Sequence, residues 1–597
     1  MTEAASLMMQ AALPDTRGAN LYRADPALPA LLKLCVTPEV FACVEPHLDR
    51  LGALAGGRLD ALAGTADHNP PILHHRERTG VDAQWIEKHP AYVEMERMAF
   101  GDYGLAAMSH RAGVFGWNAP LPPAVKYALS YLFVQAEFGL CCPVSMTDAL
   151  ARTLGKFGSA ELVARYLPGL TSQDMDVHAQ GAMFMTEQAA GSDVGATATL
   201  ARHVPAGGTG TNLGNNGSDH WLLTGDKWFC SNADAELALV LARPENGSGS
   251  ASQGSTTRAL SLFLLPRTLP DGSPNHYRII RLKDKLGTRS MASGEIKLEG
   301  AVAYLVGDAT RGFVQMADMI NMSRLSNGMR AAGLMRRACF EARHVAEHRV
   351  AFGKRVIEMP LARRQLMKML LPMEAARSMT FFAARALEAA DLAPSGDDAA
   401  RRRIRILTPL LKFRACRDAR RVTGDAMEMR GGTGYIEEWP DARLTRDAHL
   451  GSIWEGTSNI VAQDVLRAIK RENALEALDA ELDAMDREAG RDEDRFVARE
   501  RAQGFARDVA QAGDAEHARQ AATGLYYSTA ATVLAWEAKR IGGSGDKIIG
   551  AQRAALSRLV VRHKLSERDP FKPEAAGDDE ALLLSTALGQ HSAAIFV

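Results

Sequence analysis

The chain is 597 residues long, 46% hydrophobic and 24% charged, with a formal net charge of −1. That length implies several domains or one large multilayer subunit, and near neutrality supplies no global field to gather nucleic acid, so such a function needs a local basic patch. The seven cysteines (35, 43, 141, 142, 230, 339 and 416) lack paired C-x2-C spacing, which argues against structural zinc and for reduced thiols in a cytoplasmic setting.

In chain order, residues 1–178 read as a helical domain, Ala/Leu/Met-rich at 3.6-residue spacing and broken by "NPP" (69–71) and "APLPP" (119–123). The opening "MTEAASLMMQAALPD" is neither basic nor long and apolar, and "YALSYLFVQAEFGLCCPVSM" is interrupted by Gln135 and Glu137, so neither export nor membrane insertion is expected. Residues 179–305 change texture to short strand-like runs: "GAMFMTE", "HWLLTGDKWFC", "AELALVLAR", "ALSLFLLP", "HYRIIRLK" and "GEIKLEG". Two connections, 205–219 and 244–257, are so rich in Gly, Ser, Asn and Thr that they read as mobile surface loops. Helical periodicity returns over 306–470, with breaks at Pro360, 392–398 and "RGGTGY" (430–435), and continues as a charged, Ala-rich extension over 471–597. The fold class is therefore mainly α with a central β domain (α+β).

Several stretches could carry chemistry. The turn in "MFMTEQAAGSDVGATAT" (183–199) offers hydroxyls and backbone N–H groups to a polar ring edge or a phosphate, or is simply a polar β-turn. "GDKWFCSNADA" (225–235) sets an aromatic wall beside a hydroxyl, or is a strand leaving the core. His344-x-x-Glu347-His348 has the inverted zinc-peptidase spacing, but Arg343 and Arg349 crowd it and no third ligand stands out, so a polar helix face is the preferred reading. A Gly-rich dinucleotide fingerprint and a phosphate-binding Walker loop are both missing.

Taken together and in order, "MTEQAAGSD", "KWFCSN", "RVAFGK", "RGGTGYIEEWPDARLTRDA" and "IWEGTSNI" resemble the signatures of the acyl-CoA dehydrogenase family. "NLYRADPAL" (20–28), "NPPIL" (69–73), "KHPAY" (88–92), "CCPVSMT" (141–147) and "RLKDKLGTRSMAS" (281–293) look like the DNA alkylation-response branch of that family. The resemblance implies an acyl-CoA dehydrogenase fold, one FAD per subunit and a homotetramer.

By the same resemblance, Thr186 and Ser231 would hydrogen-bond the flavin, Phe229 would cover its face, and Ser192 would lie at the ligand or pyrophosphate side. Arg349 and Phe352 would hold FAD, often that of a neighbouring subunit; Gly431 and Gly432 would let backbone approach the adenosine; and Thr457 and Asn459 would contact the cofactor at a helix start. Met183, Met185, Cys230, Ile453, Trp454 and Gly456 complete the implied set, with Glu428 where many members have glutamine.

Glu455 would be the base that removes the α-proton of an acyl-CoA, a carboxyl made effective by desolvation. The alternative position on an earlier helix, immediately before an arginine, holds Ser323 before Arg324, and a serine cannot serve as that base. The branch further implies weak turnover and duplex DNA binding through the extension, with Arg467, Arg558 and Arg562 as candidate contacts, although the extension is not basic in bulk. Two other readings stand beside it: a DNA-binding protective flavoprotein with structural FAD, and an ordinary β-oxidation dehydrogenase passing electrons to an electron-transfer flavoprotein. The basic run 401–421 reads as a solvated or subunit-interface face, or as a phosphate contact.

Overall fold

The computed structural model describes residues 13–206, 219–245, 256–394, 398–572 and 577–585. The first region is built from α1 (Ala27–Lys33), α2 (Pro38–Gly56), α3 (Arg58–His68), α4 (Pro90–Glu96), α5 (Pro123–Phe133), α6 (Cys141–Phe157) and α7 (Ala160–Leu170). It is not wholly helical: β1 (Ile72–His74) and β2 (Trp85–Glu87) form an antiparallel hairpin between α3 and α4. The Asn-Pro-Pro that precedes it removes two backbone donors and stops α3. The His74 ring then stacks on Trp85 at 4.1 Å, and Gln84 exchanges two hydrogen bonds of 2.8 Å with the backbone of Ile279, pinning the hairpin to the sheet.

The apolar stretch around Gln135 and Glu137 is the turn between α5 and α6, buried in the protein core. Glu137 is satisfied there by the Leu140 N–H at 3.0 Å and the Ser290 hydroxyl at 2.9 Å. Among the described residues no helix is long and apolar enough to cross a membrane.

The seven-stranded sheet comprises β3 (Gly181–Phe184), β4 (Leu200–Val204), β5 (His220–Ser231), β6 (Leu237–Pro244), β7 (Ser261–Pro266), β8 (Tyr277–Leu282) and β9 (Ser293–Leu305). Its order is β3-β6-β4-β5-β9-β7, with β8 added on β9, and a β6–β7 pairing bends it closed into a barrel-like layer. Six of these strands sit on the six runs expected from sequence. β4 was not expected, because "LARHV" carries only one fully buried residue and so shows no apolar run. Most of the two loops expected to be mobile, at 207–218 and 246–255, lies outside the described residues.

The C-terminal half is a bundle of long helices: α8 (Gly312–His348), α9 (Pro360–Leu392) and α10 (Asp398–Arg430), followed by α11 (Pro440–Gly451) and α12 (Ser458–Glu472). A two-rung hairpin, β10 (Val350–Ala351) and β11 (Lys354–Arg355), joins α8 to α9. The extension supplies α13 (Ala474–Ala489), α14 (Glu493–Ala512), α15 (Ala518–Gly543), α16 (Lys547–Val560) and α17 (Asp578–Leu584). It is no appendage: α15 packs on α9, α10, α12 and α13, and Leu525, Tyr526 and Leu534 belong to the same apolar core as the bundle.

This packing explains the basic run in α10. Arg405 pairs with Asp464 at 2.9 Å and with Glu472 at 3.0 Å, Arg403 faces Glu481 at 3.8 Å, and Arg414 pairs with Asp418. Much of the run's charge is thus neutralised inside the helical layer by acids of α10, α12 and α13.

Candidate active site

β5 delivers the aromatic wall at a bulge, where the step from Lys227 to Cys230 spans three residues against two on β9. Phe229 stands 56% exposed, a large apolar surface for a residue on a central strand, and the Lys283 ammonium lies 4.8 Å from its ring and 3.6 Å from that of Trp228. Cys230 points the other way, fully buried in the core of the sheet, and Met183 is a buried residue of the main core. The side chains of both are thus committed to packing.

Thr186 and Ser231 are both half-buried on this face, and the Thr186 carbonyl accepts from the Trp228 N–H at 2.8 Å. Met185 is partly buried against the main core, and Ser192 is exposed in the turn that follows. The neighbouring Glu187 turns inward to Lys227 at 2.7 Å and to the Thr199 hydroxyl, so the acid of this motif anchors the turn.

At the far end of the bundle, Arg349 donates to the Arg430 carbonyl at 3.0 Å and so fastens the β10–β11 hairpin to the glycine turn. Gly431 adopts φ 78° and ψ −153°, a conformation open essentially to glycine alone, and a Cβ at Gly432 would meet open space. Phe352 is 98% exposed, and Glu428 is exposed on the last turn of α10.

Glu455 sits in a left-handed turn, φ 55°, followed by Gly456 at φ 95°. A non-glycine residue holds that conformation only when its surroundings fix it, and here two cations do so. Arg324 Nε donates to the Glu455 carbonyl at 2.9 Å while its NH1 pairs with Asp464 at 2.7 Å. Lys412 donates to the Gly456 carbonyl.

The Glu455 carboxylate is oriented separately: Ser323 Oγ donates to Oε1 at 3.0 Å, while Oε2 is closed off from solvent and has no partner. Burial pushes its pKa up, opposed by the Ser323 hydrogen bond and by Arg324, Lys412 and Arg330. Burial likewise holds Lys412 down to about 8. Immediately beyond, Thr457 stands at the start of α12 with Asn459 exposed in its first turn, and Ile453 is 58% exposed on the approach.

The sequence reading found Glu455 but missed its support. Arg324, Asn327, Arg330 and Lys412 were not singled out, and Ser323, discounted as a base, is the residue that donates to the Glu455 carboxylate. The available signal was a polar stripe, Ser323, Ser326, Asn327 and Arg330, at helical spacing along the long helix α8. The Trp454 ring stacks on Phe138 at 5.8 Å between centroids, with the Arg330 guanidinium 4.6 Å above Trp454.

At the His344/His348 pair, Glu347 is held by Arg343 at 2.7 Å, and His348 Nδ1 lies 2.8 Å from the His344 carbonyl. Of the residues expected to touch DNA, Arg558 is held by Asp579, with Nε donating at 2.9 Å, Arg467 is exposed 3.9 Å from Asp464, and Arg562 lies on the turn after α16.

The chain belongs to the acyl-CoA dehydrogenase family, whose members are FAD-dependent oxidoreductases. Residues 182–301 and 310–470 match the models for the acyl-CoA dehydrogenase middle and C-terminal domains. Residues 12–177 match that for the adaptive response protein AidB N-terminal domain. The chain is 31% identical to the putative acyl-CoA dehydrogenase AidB of Escherichia coli over 469 residues, 76% of this chain and 78% of that protein. It is also 31% identical to acyl-CoA dehydrogenase family member 11 of Caenorhabditis elegans, over 76% of this chain and 72% of that one. The solved structure of C. elegans ACDH-11 in complex with C11-CoA superposes with a TM-score of 0.81 at 26% identity, covering 94% of this chain and 93% of its own.

Proposed function

We propose that the protein holds FAD between the Phe229 face of the sheet and the start of α12, and that Glu455 removes the α-proton of an acyl-CoA thioester in an α,β-dehydrogenation. The observation that carries this reading is the Glu455 turn: a carboxyl clamped by backbone contacts to Arg324 and Lys412, aimed by Ser323, and left with one oxygen unpartnered. A base with a raised pKa and an unused oxygen is suited to taking a weakly acidic proton. The surroundings also fit a large planar cofactor bearing phosphates. Phe229 and Phe352 present exposed aromatic faces, Gly431 and Gly432 leave room for close approach, and Thr457 and Asn459 stand at a helix N-terminus, where an anion is favoured.

When bound, FAD supplies the electron sink for the hydride equivalent leaving the β-carbon. The chain's own part is to position the thioester, exclude water and accept the proton at Glu455. Anaerobic titration with a panel of acyl-CoAs tests this. Bleaching of the flavin that vanishes in Glu455→Gln supports the reading, and no bleaching with any thioester overturns it. The exposed apolar side chains Val350, Phe352, Leu361 and Tyr435 support a homotetramer, since apolar surface of this kind is ordinarily covered by another chain.

A second reading, duplex binding, is favoured at a cleft that takes in part of the basic run 401–421. The cleft, of about 720 Å³ between α10, α14 and α15, is lined by Arg414, Arg417, Arg501, Arg519 and Lys564, of which Arg414 is paired with Asp418 and Arg501 with Glu567 at 3.3 Å. Such a cluster suits phosphate contacts without base reading. Charge reversal at Arg417 and Arg519 lowers duplex affinity and flattens its salt dependence by about one for each phosphate no longer neutralised; unchanged binding rejects the cleft. Reversal is preferable to removing the extension, which would uncover the bundle core.

A further inference from the structure

The second half of α8, the start of α1, and α9, α16 and α17 surround a cavity of about 140 Å³ that takes in none of the residues placed at the flavin and thioester site. Protein interiors contain few voids larger than a water molecule, so a space of this size between five segments far apart in sequence calls for a use. One side of it is apolar, made by Cys339, Phe340, Leu366, Leu370, Met373 and Leu556. α17 closes that side with Leu583 and Leu584, both buried. Its end is fixed by Arg343, which donates to the Leu583 and Ser585 carbonyls at 3.4 and 3.3 Å, a cation where the C-terminus of a helix favours one.

The other side is ionic, and its charges balance. Arg377 and Arg553 both reach Glu374, Arg553 at 2.8 Å; Arg377 and Arg336 both reach Asp25, Arg336 at 3.2 Å; and Arg553 lies 3.7 Å from Glu537. Three guanidiniums thus meet three carboxylates, all but Arg336 less than a tenth exposed. The remaining lining arginines are paired as well, Arg343 with Glu347 and Arg23 with Asp49, each at 2.7 Å. A further charge brought against this wall would lack a counter-ion and would have to be desolvated. Gln552 of α16 also lines the cavity, half-buried, and among the described residues its amide has no hydrogen-bond partner.

We propose that this cavity is a second small-molecule site, for an uncharged compound about the size of a benzene ring that carries one hydroxyl or carbonyl oxygen, recognised by the Gln552 amide. The size follows from the volume, since an apolar cavity of about 150 Å³ holds benzene. Apolar walls with a few placed polar groups are the usual construction of such pockets. The lack of charge follows from the balanced ion network, and the single oxygen from the one amide left to pair. The site does not depend on the dehydrogenase reading above.

Isothermal titration of the full-length, FAD-loaded protein tests it, with benzyl alcohol, toluene and benzoate as probes. We expect benzyl alcohol to bind once per chain, about three- to tenfold more tightly than toluene, as for one neutral hydrogen bond. It also binds more tightly than benzoate and leaves the flavin spectrum unchanged. Gln552→Leu removes the preference over toluene while toluene still binds. Leu584→Trp, and from α9 Leu366→Trp, fill the space and abolish binding of both, with FAD retained; filling from two helices keeps the test open should one variant not fold. No saturable binding of benzyl alcohol, tighter binding of benzoate, a preference that survives in Gln552→Leu, or binding that survives filling overturns the proposal. A flavin spectrum perturbed by benzyl alcohol assigns the binding to the flavin site and overturns it too. Bleaching by acyl-CoAs is untouched by any of these results and decides the dehydrogenase reading alone.

Discussion

Replacing Glu455 by glutamine isolates proton transfer from architecture. The amide keeps the shape of the side chain and can still accept from Ser323, and the contacts of Arg324 and Lys412 are to backbone carbonyls, so the turn persists. Losing a general base slows the chemical step by about 10²–10⁴-fold, or about 3–5 kcal/mol of barrier. Stability moves the other way. Because burial raises the folded-state pKa above the unfolded one, ionising Glu455 works against the fold. The stability it contributes is intact below the ordinary carboxyl range and is lost as pH rises through the raised value. At neutral pH the glutamine variant therefore melts at the same temperature as the wild type or higher, with the gap opening as pH is raised from acid. Flavin reduction followed by anaerobic stopped flow, paired with thermal melts from pH 4 to 8, measures both. Adding Ser323→Glu to Glu455→Gln sets a carboxyl on the opposite side of the same hydrogen bond and should restore part of the rate. Reduction within about threefold of wild type, or a melting temperature lowered by several degrees, would show Glu455 to be a structural cap and refute the reasoning.

Other substitutions probe the support. Lys412→Met removes the donor to the Gly456 carbonyl, and the loosened turn should reduce flavin reduction by about tenfold with the cofactor still bound, as read by stopped flow and the visible spectrum. Gly431→Ala forces a side chain into a glycine-only conformation, 3.4 Å from Arg349 NH1. At about 1–3 kcal/mol of strain, it should weaken FAD retention by roughly 5- to 150-fold in an equilibrium titration. Asp447, which accepts from the Thr288 N–H at 2.6 Å, is pushed up to about 7 by burial and by Glu137. Its contribution to stability is lost as pH rises from the ordinary carboxyl range through about 7, so wild-type melting temperatures should fall across that window and those of Asp447→Asn should fall less.

How much was legible depended on whether a feature was local. The strands of the sheet were readable because an apolar run of four to eight residues bounded by turns has few other uses. β4 was not, because its neighbours rather than its own composition make it a strand. The β1–β2 hairpin was lost inside a helical region for the same reason: its two short strands depend on a ring stack and on Gln84 reaching Ile279, 195 residues away. At the site, regular alternation from buried Lys227 would set Phe229 inward, and it is the bulge between Lys227 and Cys230 that turns Phe229 outward and Cys230 inward; both entered the expected set because a motif does not say which face carries the ligand. The basic run of α10 left a solvated or subunit-interface face and a phosphate contact open as alternatives, because the acids of α12 and α13 that pair with part of it lie far off in sequence.

By itself the sequence determined the order of helices, strands and helices, the glycine-dependent turns at 431 and 456, and a glutamate, Glu455, immediately before the second. Each of these is fixed by local periodicity or by backbone conformations that few residues adopt. The tertiary structure alone decided which residues give that glutamate its chemistry. Ser323 and Arg324 reach it from 132 and 131 residues away, Lys412 holds the turn from 44, and Arg330 adds a buried positive charge that opposes the rise in its pKa. Burial, electrostatic pairing and the lack of it arise from the packing of α8, α10 and α12 against one another, which no single stretch of the chain encodes.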